Sequence, residues 1–147
     1  MANLVRMDLI EKKVRASFAK QGLMSTLGAQ MTTVGAGAVE IRCGFDAKLT
    51  QQNGFVHAGV ITSILDSACG YAALSVAPAG SEVLSVEFKV NLLAPAVGSA
   101  FVARALVKRA GKTLTICSAD AYAVNADGEK LIATMLATMM NIGAKAS

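Results

Sequence analysis

The stretch VITSILDSACGYAALSVA, residues 60–77, decides how the rest of the chain is read. It approaches the roughly 20 apolar residues a membrane span needs, yet it holds Asp66, three serines and a glycine. A charge at mid-bilayer costs several kcal/mol, so the stretch reads as a helix buried in protein, over residues 57–77. It stops where Pro78-Ala79-Gly80 breaks the run. Asp66 is the only formally charged residue between positions 49 and 81. An unpaired carboxylate in such surroundings is costly or takes up a proton, so folding alone rarely selects it. One reading is structural: Asp66 accepts hydrogen bonds from Ser63, Ser67 or a backbone amide and fixes the helix. The reading preferred here is a functional carboxylate, shielded from bulk water and ready to act on substrate or on water.

Upstream lies the only histidine, His57, within Asn53-Gly54-Phe55-Val56-His57-Ala58-Gly59. This places it at the N-terminal end of the helix. Exposed amides at a helix start attract negative charge, and the small residues around His57 let a ligand approach the backbone, so these amides can stabilise an oxyanion. His57 and Asp66 are nine residues apart, which at about 1.5 Å per residue is roughly 13 Å along a helix, too far for both to act on one atom. Two chains remove the difficulty. A two-fold axis that sets the start of one helix beside the middle of its partner brings Asp66 to the Ala58 amide of the other chain, with two identical sites per dimer.

Further outward, Leu4, Met7, Ile10, Val14 and Phe18 recur at helical spacing, which predicts an N-terminal flanking helix over 1–22. Two short runs around Gly35-Ala36-Gly37, the second alternating Val39, Ile41, Cys43 and Phe45 with polar or small residues, predict a strand hairpin. Beyond the helix, strands are expected over 82–93, 99–109, 113–125 and 130–142, separated by turn signals at residues 94–98, 110–112 and 126–128. Long antiparallel strands must curve around something, and the apolar helix is the obvious filling. The expected fold is α+β: an antiparallel sheet wrapped around one long helix, the hotdog architecture, with the main strands in 82–142 and all 147 residues in one domain.

Composition agrees. Apolar residues make up 54% and charged ones 16%, against about 45–50% and about 25% in ordinary globular chains, which excludes disorder and leaves apolar surface for a second subunit to cover. Cys43, Cys69 and Cys117 lack the paired spacing of a structural zinc site and read as reduced, packed thiols, so no metal is expected. The net charge of +4 is spread along the chain, and neither nucleic acid nor membrane is an expected partner. The opening MANLVRMDLIEKKVRAS has no apolar core of a secretory signal, so a cytoplasmic protein is expected.

Three segments carry a resemblance: residues 53–72 (NGFVHAGVITSILDSACGYA), 84–96 (LSVEFKVNLLAPA) and 107–114 (VKRAGKTL), with 22–29 (GLMSTLGA) upstream. The chain resembles the hotdog-fold acyl-CoA thioesterases of the phenylacetate-degradation (PaaI-like) type. That resemblance implies hydrolysis of an acyl-CoA to free acid and CoA without metal or organic cofactor. It implies Asp66 as nucleophile or general base and the Ala58 amide as oxyanion hole. It further implies that Gln51 positions the attacking water, that Ser85 assists the carboxylate and that His57 supports the oxyanion loop. The family often has His-Gly-Gly where this chain has His57-Ala58-Gly59, which narrows the thioester's approach but keeps the amide.

CoA phosphates need cations. Lys89, Arg109 and Lys112 are candidates, together with Asn53, Gly59 and Gly111 as small or polar CoA contacts. A homodimer is the expected active unit, assembled into a homotetramer as a dimer of dimers. Phenylacetyl, hydroxylated aryl and medium-chain acyl groups would meet similar walls, and Met24, Met31, Met135, Met139 and Met140 could adapt to several shapes. Two rival functions are a non-catalytic acyl-CoA-binding module, for which this chain lacks an effector segment, and a hydroxyacyl-thioester dehydratase, which the nine-residue gap fits poorly.

Overall fold

The computed structural model describes residues 1–143. Helix α1 (Ala2–Phe18) turns Met7, Ile10, Val14 and Phe18 inward, with Val14 fully buried, while Leu4 of the expected stripe stays exposed. Residues 1–22 are not one helix. α1 stops at Phe18, and a second helix, α2 (Gly22–Leu27), follows it and ends at Gly28, whose φ of 65° suits the left-handed C-terminal cap. Six residues are too few to display a helical period, which is why the segment does not announce itself in the sequence.

The hairpin forms as expected, from β1 (Gln30–Gly35) and β2 (Ala38–Gly44), with Val34 opposite Val39. The buried helix α3 (Ala58–Val76) lies within one residue of its expected span at either end. Four strands follow: β3 (Glu82–Leu92), β4 (Ala100–Ala110), β5 (Leu114–Asn125) and β6 (Gly128–Ile142). All six strands form one antiparallel sheet in the order β1-β2-β4-β5-β6-β3. The last four strands are therefore not a simple meander, because β3 crosses to the far edge and pairs with β6.

Helix α3 contacts every strand of the sheet. Small side chains make this possible: Ala103, Ala105, Ala119, Ala121, Ala133 and Ala137 are buried on the sheet's inner face and let it close around the helix. From the helix side Ile64 and Leu65 are fully buried, each contributing about 1.5–3 kcal/mol. α3 is long and apolar enough to cross a membrane, but 61% of its most apolar window is buried in this fold, where it is the core helix. The edge strand β3 differs from the rest, with Leu84, Val86, Phe88 and Leu92 all exposed. A long, exposed, apolar edge is a ready template for another strand.

Candidate active site

Asp66 sits in the middle of α3 on the side that faces the edge strand β3, at intermediate exposure. Within one chain it is thus less shielded than the sequence leads one to expect, because the low charge of residues 49–81 reflects the buried side of the helix and not this one. Its partner is Ser85 of β3, whose hydroxyl donates to Asp66 Oδ1 at 2.7 Å and also lies 3.4 Å from Met139 Sδ. Neither Ser63 nor Ser67 plays that part. The Ser63 hydroxyl donates to the Gly59 carbonyl at 2.6 Å, and the Ser67 hydroxyl donates to Gln21 Oε1 at 3.1 Å. The register of β3 against β6 slips between Ser85 and Glu87, leaving Val86 as the extra residue of a bulge. Bulges bend a strand and re-aim its side chains, and here the bulge adjoins the serine that turns onto the helix.

At the N-terminal end of α3, His57 is the N-cap. Its Nδ1 accepts the Gly59 N–H at 2.8 Å and its carbonyl accepts the Val60 N–H at 2.9 Å. The Ala58 N–H has no backbone acceptor outside the helix among the described residues. With the Gly59 and Val60 amides engaged, the free donor of the first turn is the one at Ala58. Ala58 lines a cavity of about 410 Å³ with Gln51, Phe55, Ile61, Pro95 and Ile132. The Gln51 N–H and carbonyl hold a tight turn with Phe55 and Gly54, and its Oε1 accepts the Asn53 N–H, so the amide nitrogen of the side chain is the end left to act. Asn53 itself lines a separate surface depression with Phe45 and Val97.

The structure therefore brings Gln51 and Ala58 together, and brings Asp66 and Ser85 together, in two cavities with no lining residue in common. The separation inferred from helix geometry is present in the folded chain. The basic candidates do not converge within one chain either. Lys89 on β3 and Arg109 on β4 are exposed and three strands apart, about 14 Å at the ordinary strand spacing. Lys112 is exposed in the β4–β5 turn. Gly111 has a structural reason of its own, since a Cβ there would come within 2.4 Å of the Leu114 carbonyl oxygen.

Apart from Ser67, several neighbours of Asp66 escaped the sequence reading. The Asp66 cavity, of about 140 Å³, is also lined by Ser17, Gln21, Ser67, Gly70, Tyr71 and Glu82. Ser17 Oγ and Tyr71 Oη lie 3.3 Å apart, and burial pushes the Tyr71 phenol up, so it stays protonated. The one available clue was spacing: Ser67, Gly70 and Tyr71 follow Asp66 within about one and a half turns of the same helix.

One antiparallel sheet closed on a central helix, with a single carboxylate held by a strand serine at the sheet's free edge, defines a hotdog-fold protein with an enzyme-like site. The family model described as the thioesterase superfamily matches residues 53–129. A thioesterase family protein from Silicibacter pomeroyi is similar in structure, with a TM-score of 0.89 and 51% identity over 90% of this chain and 98% of that one. The E. coli PaaI protein from the phenylacetic acid degradation operon shares the fold, with a TM-score of 0.82 and 20% identity over 92% of this chain and 94% of that one. A Halobacterium salinarum protein whose name proposes an esterase is 32% identical over 100 residues, 65% of this chain and 66% of that one, so the chain spans about two thirds of that relative's length. The chain belongs to the thioesterase superfamily, a family of thioester hydrolases, and its fold is that of the PaaI-like members.

Proposed function

We propose that the chain is an acyl-CoA thioesterase, hydrolysing a small aryl- or medium-chain acyl-CoA to free acid and CoA at two sites shared between protomers. The observation that carries the reading is the Ser85–Asp66 hydrogen bond, a strand hydroxyl orienting the one carboxylate of the core helix. Asp66 and Ser85 of one protomer face the Ala58 amide and Gln51 of the partner subunit. The thioester carbonyl rests on that amide, and the Gln51 carboxamide places the water. Asp66 either takes a proton from the water as it attacks or attacks the acyl carbon itself, and water then releases the acid. In each route the carbon–sulfur bond breaks, the sulfur leaves as CoA thiol, and an oxygen of water ends on the acid. His57 keeps the Gly59 amide occupied and so leaves the Ala58 amide as the donor aimed at the oxyanion.

The exposed β3 edge supports the dimer, since two-fold pairing of this strand would cover its apolar residues and set one chain's Asp66 edge against the other chain. Lys89, Arg109 and Lys112, scattered in one chain, then serve as rim contacts for CoA phosphates, with Asn53, Gly59 and Gly111 beside them. The rest of the assembly is a tetramer of two such dimers in the cytoplasm, with one hotdog domain over residues 1–147.

The test is release of free thiol from acyl-CoAs, followed with dithionitrobenzoate. Asp66→Asn should lower turnover by about 10²–10⁴-fold, the contribution of a positioned acid–base group, with size and melting temperature kept. Undiminished turnover in that variant would reject Asp66 as the reacting group.

A further inference from the structure

Asn141, near the end of β6, holds three consecutive carbonyls of the β4–β5 turn. Its Nδ2 donates to the Gly111 carbonyl at 3.1 Å and to the Lys112 carbonyl at 3.2 Å, and its backbone N–H donates to the Thr113 carbonyl at 2.8 Å. Within the turn itself the Gly111 N–H donates to the Leu114 carbonyl at 2.9 Å, so the placing of the tip falls to Asn141. For the strand alone this is a poor residue. Asparagine is depleted in strands, and Asn141 Oδ1 is buried with no partner among the described residues. An unmet buried acceptor costs folding free energy that an apolar side chain of similar size would avoid. What the asparagine adds is the pair of N–H bonds to the turn.

Those bonds decide what the turn shows to solvent. The peptide bonds are planar and trans, so a carbonyl and the N–H that follows it point in opposite directions. With the Gly111 and Lys112 carbonyls drawn onto Asn141, the Lys112 and Thr113 N–H groups are turned away from it, and neither has a backbone acceptor among the described residues. Lys108, Arg109 and Lys112 beside them are exposed, and none is paired with a carboxylate among the described residues. Lys108 is the extra residue of a bulge, where the register of β4 against β5 slips between Val107 and Arg109. Two adjacent outward amides flanked by free cations have the composition of an anion site. The turn also adjoins the site: Asn141 pairs with Val83, and Val83, Ser85 and Met139 line the Asp66 cavity.

Resting on the acyl-CoA reading above, we propose that Asn141 is a positioning residue for the coenzyme: it fixes the turn over residues 110–113 so that the Lys112 and Thr113 amides, with the Arg109 and Lys112 side chains, receive a phosphate at the rim of the Asp66 cavity. Asn141 itself touches neither the thioester nor the phosphate. It acts through the turn, so it governs KM for the full coenzyme and leaves kcat alone.

The experiment measures kcat and KM by thiol release for one acyl group carried on CoA and on pantetheine, which has no phosphate. The unmodified protein is compared with Asn141→Leu, which fills the space without donors, and Asn141→Asp, which keeps the shape and loses the N–H groups. Both variants should raise KM for the acyl-CoA by about tenfold, the loss of about one charge-assisted hydrogen bond, with kcat unchanged. On the acyl-pantetheine both should stay within about twofold of the unmodified protein, which also shows that the reacting groups are intact. Lys112→Ala should give the same split, and joining it to Asn141→Leu should raise KM by less than the product of the two single effects, since both act on one contact. Four results overturn the proposal: an unchanged KM for the acyl-CoA, an equal loss on both carriers, fully multiplicative effects with Lys112→Ala, or loss of the fold in both Asn141 variants. The second and fourth would make the asparagine structural. Failure of the thioesterase reading is distinct: the unmodified protein would release thiol from neither carrier. Calorimetric titration with free CoA would then still read the turn, with binding about tenfold weaker in Asn141→Leu expected and equal binding overturning the proposal.

Discussion

Replacing Ser85 with alanine removes one oxygen atom and one hydrogen bond of consequence, the 2.7 Å donation to Asp66 Oδ1, since the remaining contact is a 3.4 Å approach to the Met139 sulfur. A hydrogen bond to a charged group is worth about 1.5–3 kcal/mol, which corresponds to about a 10- to 150-fold effect on rate if the bond is needed to aim the carboxylate. Asp66 is at intermediate exposure, so water can take over part of the lost donation. The lower end, about tenfold in kcat, is therefore expected, with KM little changed because the serine holds the reagent and not the substrate. Ser85→Thr, which keeps a hydroxyl at the same branch point, should recover most of the loss. Steady-state thiol release at saturating acyl-CoA measures kcat, and a thermal melt controls for folding. If Ser85→Ala keeps full kcat while Asp66→Asn is inactive, the strand does not orient the carboxylate. If Ser85→Ala melts well below the unmodified protein, the bond is structural.

Two further outcomes follow from groups away from the site. Burial pushes the Cys117 thiol up to about 11, and Cys69 is raised further by burial, by Cys117 and by Asp66; all three cysteines are buried and free. Native protein at pH 8 should therefore not react with dithionitrobenzoate on the assay timescale and should titrate three thiols only in denaturant; rapid native labelling would contradict the packing of α3 against β5. On the outer sheet face Arg104 pairs with Glu40 at 2.7 Å and with Glu129 at 2.6 Å and stacks on Tyr122. Burial works to raise Glu40, but hydrogen bonds from Thr32 and Arg104 outweigh it, and the bonds from Arg104 hold Glu129 low as well, so both carboxyls stay below their usual range. Depressed carboxylates stabilise the fold above their unfolded values, near pH 4.3, and lose that contribution as the pH falls through the folded ones. For these partly exposed pairs about 1 kcal/mol is expected, so Arg104→Met should melt about 2–4 °C lower at pH 7 and the gap should close below about pH 4. A gap independent of pH would show that packing on Tyr122 is its source.

The fold was largely legible because its deciding signals are long. Eighteen nearly uncharged residues ending at Pro78-Ala79-Gly80 admit one reading, and strands of eleven to fifteen residues separated by turn signals admit few others. α2 was not legible, because six residues carry no period and the decisive feature, the left-handed Gly28, is conformational. The position of β3 at the sheet edge was hidden for a different reason: strand order is set by which crossover covers the helix, and that is a tertiary choice. At the site, Asp66 stood out as a charge against an apolar background, whereas Ser85 was suggested by resemblance and needed the bulge at Val86 to be seen facing the helix. Gln21 could not be found from the sequence, since it reaches Ser67 from a loop 46 residues away.

The central claim is that Asp66 of one protomer and Gln51 with Ala58 of its partner make one site. Mixing two inactive variants, Asp66→Asn and Gln51→Leu, under conditions that exchange subunits tests it most directly. In a mixed dimer one site collects both substitutions and the other collects neither. Random exchange should therefore restore about one quarter of the unmodified activity, with each variant inactive alone. Mixtures that stay inactive after exchange, verified by mass spectrometry of the mixed dimer, would place all the reacting groups within a single chain and contradict the account.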